Sequence, residues 1–409
     1  VTVGAADVWL LFTTRTARLF AYGALSLILV LYLRDLGLGG EAIGLLLAMT
    51  LAGDTVLSLW ITTVADRIGR KRMLLVGAAL MVLGGVVFAL TGNFVALFLA
   101  ATIGVLSPSG NEVGPFLAIE QAALAQLVAD EERTRVFAWY QLAGALATAA
   151  GALACGELVQ ALQVHAVEPL ESYRAVLFAY AGIGVLLAAV FFRLSPAVEA
   201  RETPPARRAF FGLHRSRGVV LRLSILFALD AFAGAFVLQS LMASWFHDRF
   251  GADPAVLGRI FSVANVLAGF SGLAAAAIAR RIGLLRTMVF THVPSNVLLI
   301  LVPFMPTLTL AAAVLWLRFA ISQMDVPTRQ SYTAAVVSPD ERAAAAGVAN
   351  VARTSGQALA PAVQGLLAAN LILAGVPFIV AGGLKLVYDG LLFWKFRAIQ
   401  PPEEVNRVA

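Results

Sequence analysis

Long apolar runs separated by short polar ones set the pattern of this chain. A stretch of about 20 apolar residues is what an α-helix needs to cross a bilayer core. Such stretches fall near 8–33, 41–65, 73–91, 94–128, 136–160 and 173–193, and again near 219–245, 255–279, 285–305, 309–337, 343–369 and 376–396. Each is predicted to be a spanning helix, because a helix satisfies its own backbone in lipid. The first run is too long for the apolar core of a signal peptide and is read as a retained span. The runs near 94–128 and 309–337 are long, and Pro115 and Pro327 predict kinks within them. One long polar stretch, rich in Arg and Pro, occupies 194–218. It predicts a basic linker between an N-terminal bundle, 1–193, and a C-terminal bundle with a short tail, 219–409. The expected fold class is an all-α membrane protein with twelve transmembrane helices.

Composition strengthens this picture. The 409 residues are 60% hydrophobic and 13% charged, where soluble domains carry about 25% charged residues. A net charge of +6 would suit nucleic acid, but the basic residues lie in the loops between apolar runs, which is a topology signal and not a phosphate-binding face. Arg67, Arg70, Lys71, Arg72, Arg280 and Arg281 share one side with the linker, whereas the opposite loops hold only Arg34, Arg174 and Arg249. That bias puts both termini in the cytoplasm. Cys155 stands alone, so no intrachain disulfide forms. The four His are scattered without metal-ligand spacing, and no cofactor is expected.

The two halves repeat each other. Ala65-Asp66-Arg67-Ile68-Gly69-Arg70-Lys71-Arg72 follows the second run, and Ala279-Arg280-Arg281-Ile282-Gly283-Leu284-Leu285-Arg286 follows the eighth. Arg34-Asp35-Leu36-Gly37 matches Asp248-Arg249-Phe250-Gly251, and Gln121 to Arg133 matches Gln330 to Arg342. Asp-Arg-x-Gly-Arg-Lys after a second span resembles the signature loop of the major facilitator superfamily, and the degenerate second copy sits where that family's duplication would place it. The resemblance implies two pseudo-symmetric six-helix bundles, a monomer, and transport by alternating access. It also implies a gating loop of Asp66, Arg67, Gly69, Arg70 and Lys71, with Asp66 against the start of span eleven. A plain positive-inside anchor is the alternative for that loop. Thr62 stands where the family usually has Gly.

Charges inside spans are costly and usually face a cavity or a partner. Here Arg15 and Arg18 are on span one, Glu112 and Glu120 on span four, Asp230 on span seven, and Arg318, Asp325 and Arg329 on span ten. By the resemblance, those four spans line a central substrate and proton pathway. Arg318, Ser322, Asp325 and Arg329 are spaced four, three and four apart, which places them on one helical face. Asp325 would bind a proton or a substrate amine, or the set is a structural ion ladder. Ser107-Pro108-Ser109-Gly110-Asn111-Glu112-Val113-Gly114-Pro115 predicts a break in span four, with Asn111 and Glu112 as polar contacts. Arg15 and Arg18 would bind an anion, or pair with Asp54, Glu112 or Glu120. Glu120 and Arg329 occupy equivalent places in the two halves; they pair as a gate, or each finds a partner in its own half. Lys385 and Asp389, four apart, read as a structural pair.

The leading expectation is efflux of a small organic solute or drug in exchange for protons, across a plasma membrane of the bacterial inner-membrane type. No P-loop supplies ATP hydrolysis. A second reading is transport of an organic anion held by in-span arginines. An enzyme or sensor is disfavoured, since no nucleophile–base pair, metal cluster or signalling domain is evident. Small solute, protons and lipid are the expected partners.

Overall fold

The computed structural model describes residues 3–200, 215–338, 341–367, 375–397 and 399. Most of the expected basic linker and the tail beyond 399 lie outside the described residues. Fifteen α-helices follow in order: α1 (Val3–Asp35), α2 (Gly40–Ile68), α3 (Arg70–Leu90), α4 (Phe94–Ile103), α5 (Phe116–Leu127), α6 (Asp130–Val164), α7 (Pro169–Phe192), α8 (Arg217–Ala235), α9 (Gln239–Phe250), α10 (Pro254–Ile282), α11 (Leu284–Leu301), α12 (Leu308–Ser322), α13 (Asp325–Ala335), α14 (Arg342–Leu367) and α15 (Val376–Phe396). No strand occurs among the described residues.

Three expected spans are each built from two helices. Span four is α4 and α5, seven is α8 and α9, and ten is α12 and α13. Ten helical segments are long and apolar enough to cross a membrane, counting α8–α9 and α12–α13 as one each; α4 and α5 are shorter apolar helices. The remaining span, α14, is long enough, but a polar stripe lowers its hydropathy. The twelve expected spans are therefore all accounted for.

Local chemistry explains the breaks and starts. Asn93 caps α4, its side chain accepting from the backbone N–H groups of Val95 at 3.0 Å and Ala96 at 3.1 Å, which serves two of the four unpaired amides at a helix start. Between α4 and α5, Gly110 and Gly114 take φ of +71° and +80°, a region that side chains with a Cβ avoid. The repeat is visible in the backbone too. Gly69 and Gly283, and likewise Gly37 and Gly251, all have positive φ. The Gly69 amide donates to Ala65 O at 2.9 Å, and that of Gly283 to Ala279 O at the same 2.9 Å.

The chain divides into two compact units. The first is Val1–Pro204 with Leu238–Val266, and the second is Pro205–Val237 with Leu267–Ala409. The first unit thus holds α9 and the opening turns of α10. Gln239 on α9 donates to Ser26 Oγ at 2.8 Å, and Arg34 on α1 pairs with Asp248 on α9. On α10, Arg259 reaches Glu157 of α6 at 2.8 Å. Within the same unit α1 lies against α6 so closely that a Cβ on Gly151 would stand 1.9 Å from Phe20 O, and one on Gly23 2.1 Å from Thr148 O. Close backbone approach through small residues is how helices associate without a hydrophobic driving force. Gly151→Ala is expected to lower the thermal midpoint in detergent by several degrees, the effect of about 1–3 kcal/mol of overpacking. Gly182→Ala, whose methyl would meet open space, leaves it unchanged.

Candidate functional site

Each unit encloses one polar constellation. In the first, α1 presents Arg15 and Arg18 one turn apart toward the break between α4 and α5. Arg18 is fully buried. Its Nε meets Glu112 at 2.7 Å, and its Nη1 and Nη2 grip both oxygens of Glu120 at 2.9 and 2.7 Å. Arg15 Nη1 reaches the other oxygen of Glu112 at 2.8 Å. Its Nε donates to Tyr140 O at 2.9 Å and its Nη2 to Gln141 at 2.5 Å. Thr14 donates to Glu120 at 2.9 Å, and the Tyr140 hydroxyl donates to the same carboxylate. Arg18 also lies 4.5 Å from the centre of the Phe116 ring. Two guanidinia thus balance two carboxylates, and Glu120 accepts four hydrogen bonds. A planar fork on a carboxylate is the strongest form of such pairing.

Asp54, weighed as a partner for these arginines, is engaged elsewhere: it accepts from the Gly114 amide and from Ser58 at 3.1 Å. The expected break in span four is present, and it delivers Glu112 to both arginines. Asn111 is exposed on it, and its carbonyl accepts from Ser107 at 2.7 Å.

In the second unit the polarity is reversed. The first helix, α8, supplies the anion, Asp230. Lys385 on α15 meets it at 2.5 Å, Arg329 on α13 at 3.2 Å, and His292 Nε2 on α11 at 3.8 Å. Arg329 also holds Asp325 at 3.2 Å. His292 Nδ1 lies 2.9 Å from Asp389, whose other oxygen accepts from Asn296 at 3.0 Å. All of these charged groups are buried.

Several expectations change here. Lys385 and Asp389 do not pair with each other: Lys385 turns to Asp230, while Asp389 takes His292 and Asn296. One helical turn puts both on one face, but the stronger partners come from other helices. The single polar face expected on span ten is interrupted, because α12 stops at Ser322 and α13 starts at Asp325. Asp325 and Arg329 remain together, while Arg318 stacks over the Phe319 ring at 4.9 Å. Glu120 and Arg329 each find partners within their own unit. Tyr140, Gln141, Thr14, His292 and Asn296 were not anticipated. A signal existed for the last two: a His and an Asn four apart in an apolar run share a helical face.

The basic loop is held within the first unit. Asp66 accepts from Arg70 Nε at 2.8 Å. Gly69 turns the chain, and Glu199 receives the backbone amides of Arg70 at 2.6 Å and Lys71 at 3.3 Å, serving an open helix start with negative charge. Lys71 Nζ donates to Leu194 O at 2.9 Å, and Arg67 is exposed. No group of His, Cys, Asp and Glu suited to a metal occurs among the described residues.

Comparison with known proteins places these features. The family model described as Major Facilitator Superfamily matches residues 11–361. An uncharacterized membrane protein of Saccharomyces cerevisiae is 30% identical over 434 aligned positions, covering 98% of this chain and 97% of that protein. The quinolone resistance protein NorA of Staphylococcus aureus is 36% identical over 80 residues, 20% of this chain and 21% of that one. The crystal structure of the nucleoside transporter NupG superposes with a TM-score of 0.74 at 14% identity, covering 97% of this chain and 99% of that one; at that identity it shares the fold. With its duplicated basic loop, broken fourth span and membrane-depth ion networks, this multi-pass membrane protein belongs to the major facilitator superfamily and is a transporter, not an enzyme.

Proposed function

We propose that this protein is a secondary active transporter that expels a small organic solute in exchange for protons by alternating access. The observation that carries this is the cluster around Asp230. One buried carboxylate faces Lys385, Arg329 and His292, and His292 reaches onward to Asp389. His292 joins Asp230 to Asp389 there, a chain of ionisable groups along which a proton can pass. Ionisable groups at membrane depth mark ion pathways. The reversed pairing in the first unit offers less freedom, since Glu112 and Glu120 are each already matched by an arginine. The efflux direction draws on the 36% match to a drug-resistance protein over 80 residues. The loop arginines support a topology with both termini in the cytoplasm.

The test is extrusion from energised cells. Cells producing the protein are loaded with a panel of fluorescent organic solutes, and the rate of loss is compared with cells producing an Asp230→Asn variant. Faster loss that a protonophore abolishes is expected for wild type alone. Wild-type extrusion unaffected by the protonophore would contradict proton coupling, and accumulation in place of loss would reverse the direction.

A further inference from the structure

The cations at membrane depth are not equally occupied. Arg15 and Arg18 are matched by Glu112 and Glu120, Arg329 by Asp230 and Asp325, and Lys385 by Asp230. Arg318 on α12 and Arg353 on α14 form no ion pair among the described residues. Their Nε atoms are both buried and lack a hydrogen-bond partner there. Asp230 and Asp325 act electrostatically on both.

The charge count points the same way. In the second unit Arg318, Arg329, Arg353 and Lys385 stand against Asp230, Asp325 and Asp389, four cations to three carboxylates. A surplus positive charge at membrane depth is unfavourable until an anion joins it.

The helix that carries Arg353 is shaped for this. Asn350, Arg353, Thr354, Gln357 and Gln364 fall at helical spacings on one stripe of α14, and polar residues on one face of a spanning helix turn away from lipid. Asn350 is exposed, and Arg353, Thr354 and Gln357 are half-buried. Gln364 Oε1 is another buried atom without a partner among the described residues.

We propose that Arg318 and Arg353 form the receptor for the acidic group of the transported solute, a carboxylate or a phosphate monoester. This rests on the reading of the protein as a transporter of a small organic solute, and names the class of that solute. Guanidinium suits either oxyanion because its planar fork matches two oxygens at once. Arg15, Arg18 and Arg329 are excluded as receptors because binding there would first have to break an ion pair.

The test uses three compounds that share one ring: benzoate, phenyl phosphate and benzylamine. The purified full chain is heated in detergent with each at constant ionic strength. A ligand that prefers the folded state raises the midpoint, here by about 2 °C or more. The expected result is a rise with benzoate or phenyl phosphate, none with benzylamine, and loss of the rise in both R318Q and R353Q. The better of the two anions identifies the acid. Should R318Q fail to fold, R318K keeps the charge without the fork, and a weakened rise is expected. No rise with either anion, a rise with benzylamine instead, or an anion effect intact in both glutamine variants would overturn the proposal. Failure here leaves proton-coupled flux standing. Absence of solute-driven proton flux would end the proton-coupled reading without altering the binding result.

Discussion

Arg18→Ala is expected to be the most damaging single substitution in the first unit. Arg18 is fully buried, as is Glu120, whose two oxygens it grips. Removal leaves a carboxylate at membrane depth with only the hydroxyls of Thr14 and Tyr140. Stripping one partner from a buried pair typically costs about 3–5 kcal/mol, because the remaining charge is uncompensated. Little folded protein should survive extraction, read as loss of the monodisperse peak and a midpoint lowered by well over 5 °C, at about 2–4 °C per kcal/mol. Arg18→Lys should fall between, since an ammonium keeps the charge but cannot hold Glu112 and both Glu120 oxygens in one plane. The double variant Arg18→Met with Glu120→Gln is the informative control. Glu112 keeps Arg15 at 2.8 Å, and a neutral amide at 120 can still accept from Thr14. Most of the stability should return, and the excess over additivity measures the coupling. Additive losses would show that the two side chains act independently.

The second large effect is expected at Asp230. Asp230→Asn leaves Lys385 without its carboxylate, while Arg329 retains Asp325 at 3.2 Å. The destabilisation should again be about 3–5 kcal/mol, now traceable mainly to Lys385. Adding Lys385→Met, which removes the orphaned charge with a side chain of similar length, should restore the midpoint. Transport should not return, because the carboxylate that His292 and Arg329 share is gone. Stability recovered without function would separate the two roles of this residue. If Asp230→Asn alone transports at the wild-type rate, Asp230 serves the fold only.

Much of the fold was legible along the chain because its signals are local. Gly69 and Gly283 mark the same turn in both halves, each followed by a spanning helix. Gly110, Gly114, Pro108 and Pro115 together disfavour a continuous helix, so the break in span four shows in composition alone. The break in span seven does not. It falls at Phe236, Val237 and Leu238, residues that would equally suit an unbroken helix, and it is held by contacts with distant segments such as the Ser240 amide on Pro108 O at 3.1 Å. Pro327 was read as a kink inside one helix. It sits instead in the first turn of α13, where its missing N–H would have had no intrahelical partner. The candidate site divides along the same line. That Arg15, Arg18, Glu112, Glu120, Asp230 and Arg329 would need partners follows from charge in an apolar run. Which partner each takes does not, because Lys385 lies 155 positions from Asp230 and four from Asp389. Local spacing favours the second choice and three-dimensional packing the first.

One measurement bears most directly on proton-coupled transport. The purified protein is reconstituted into vesicles that enclose a pH-sensitive dye, and a solute gradient is imposed with no initial pH difference. Movement of solute down its gradient should drive protons the other way, changing the internal pH, and the change should vanish in the Asp230→Asn, Lys385→Met variant, whose stability is expected to match wild type. Solute flux through the wild-type protein with no accompanying proton movement would contradict it.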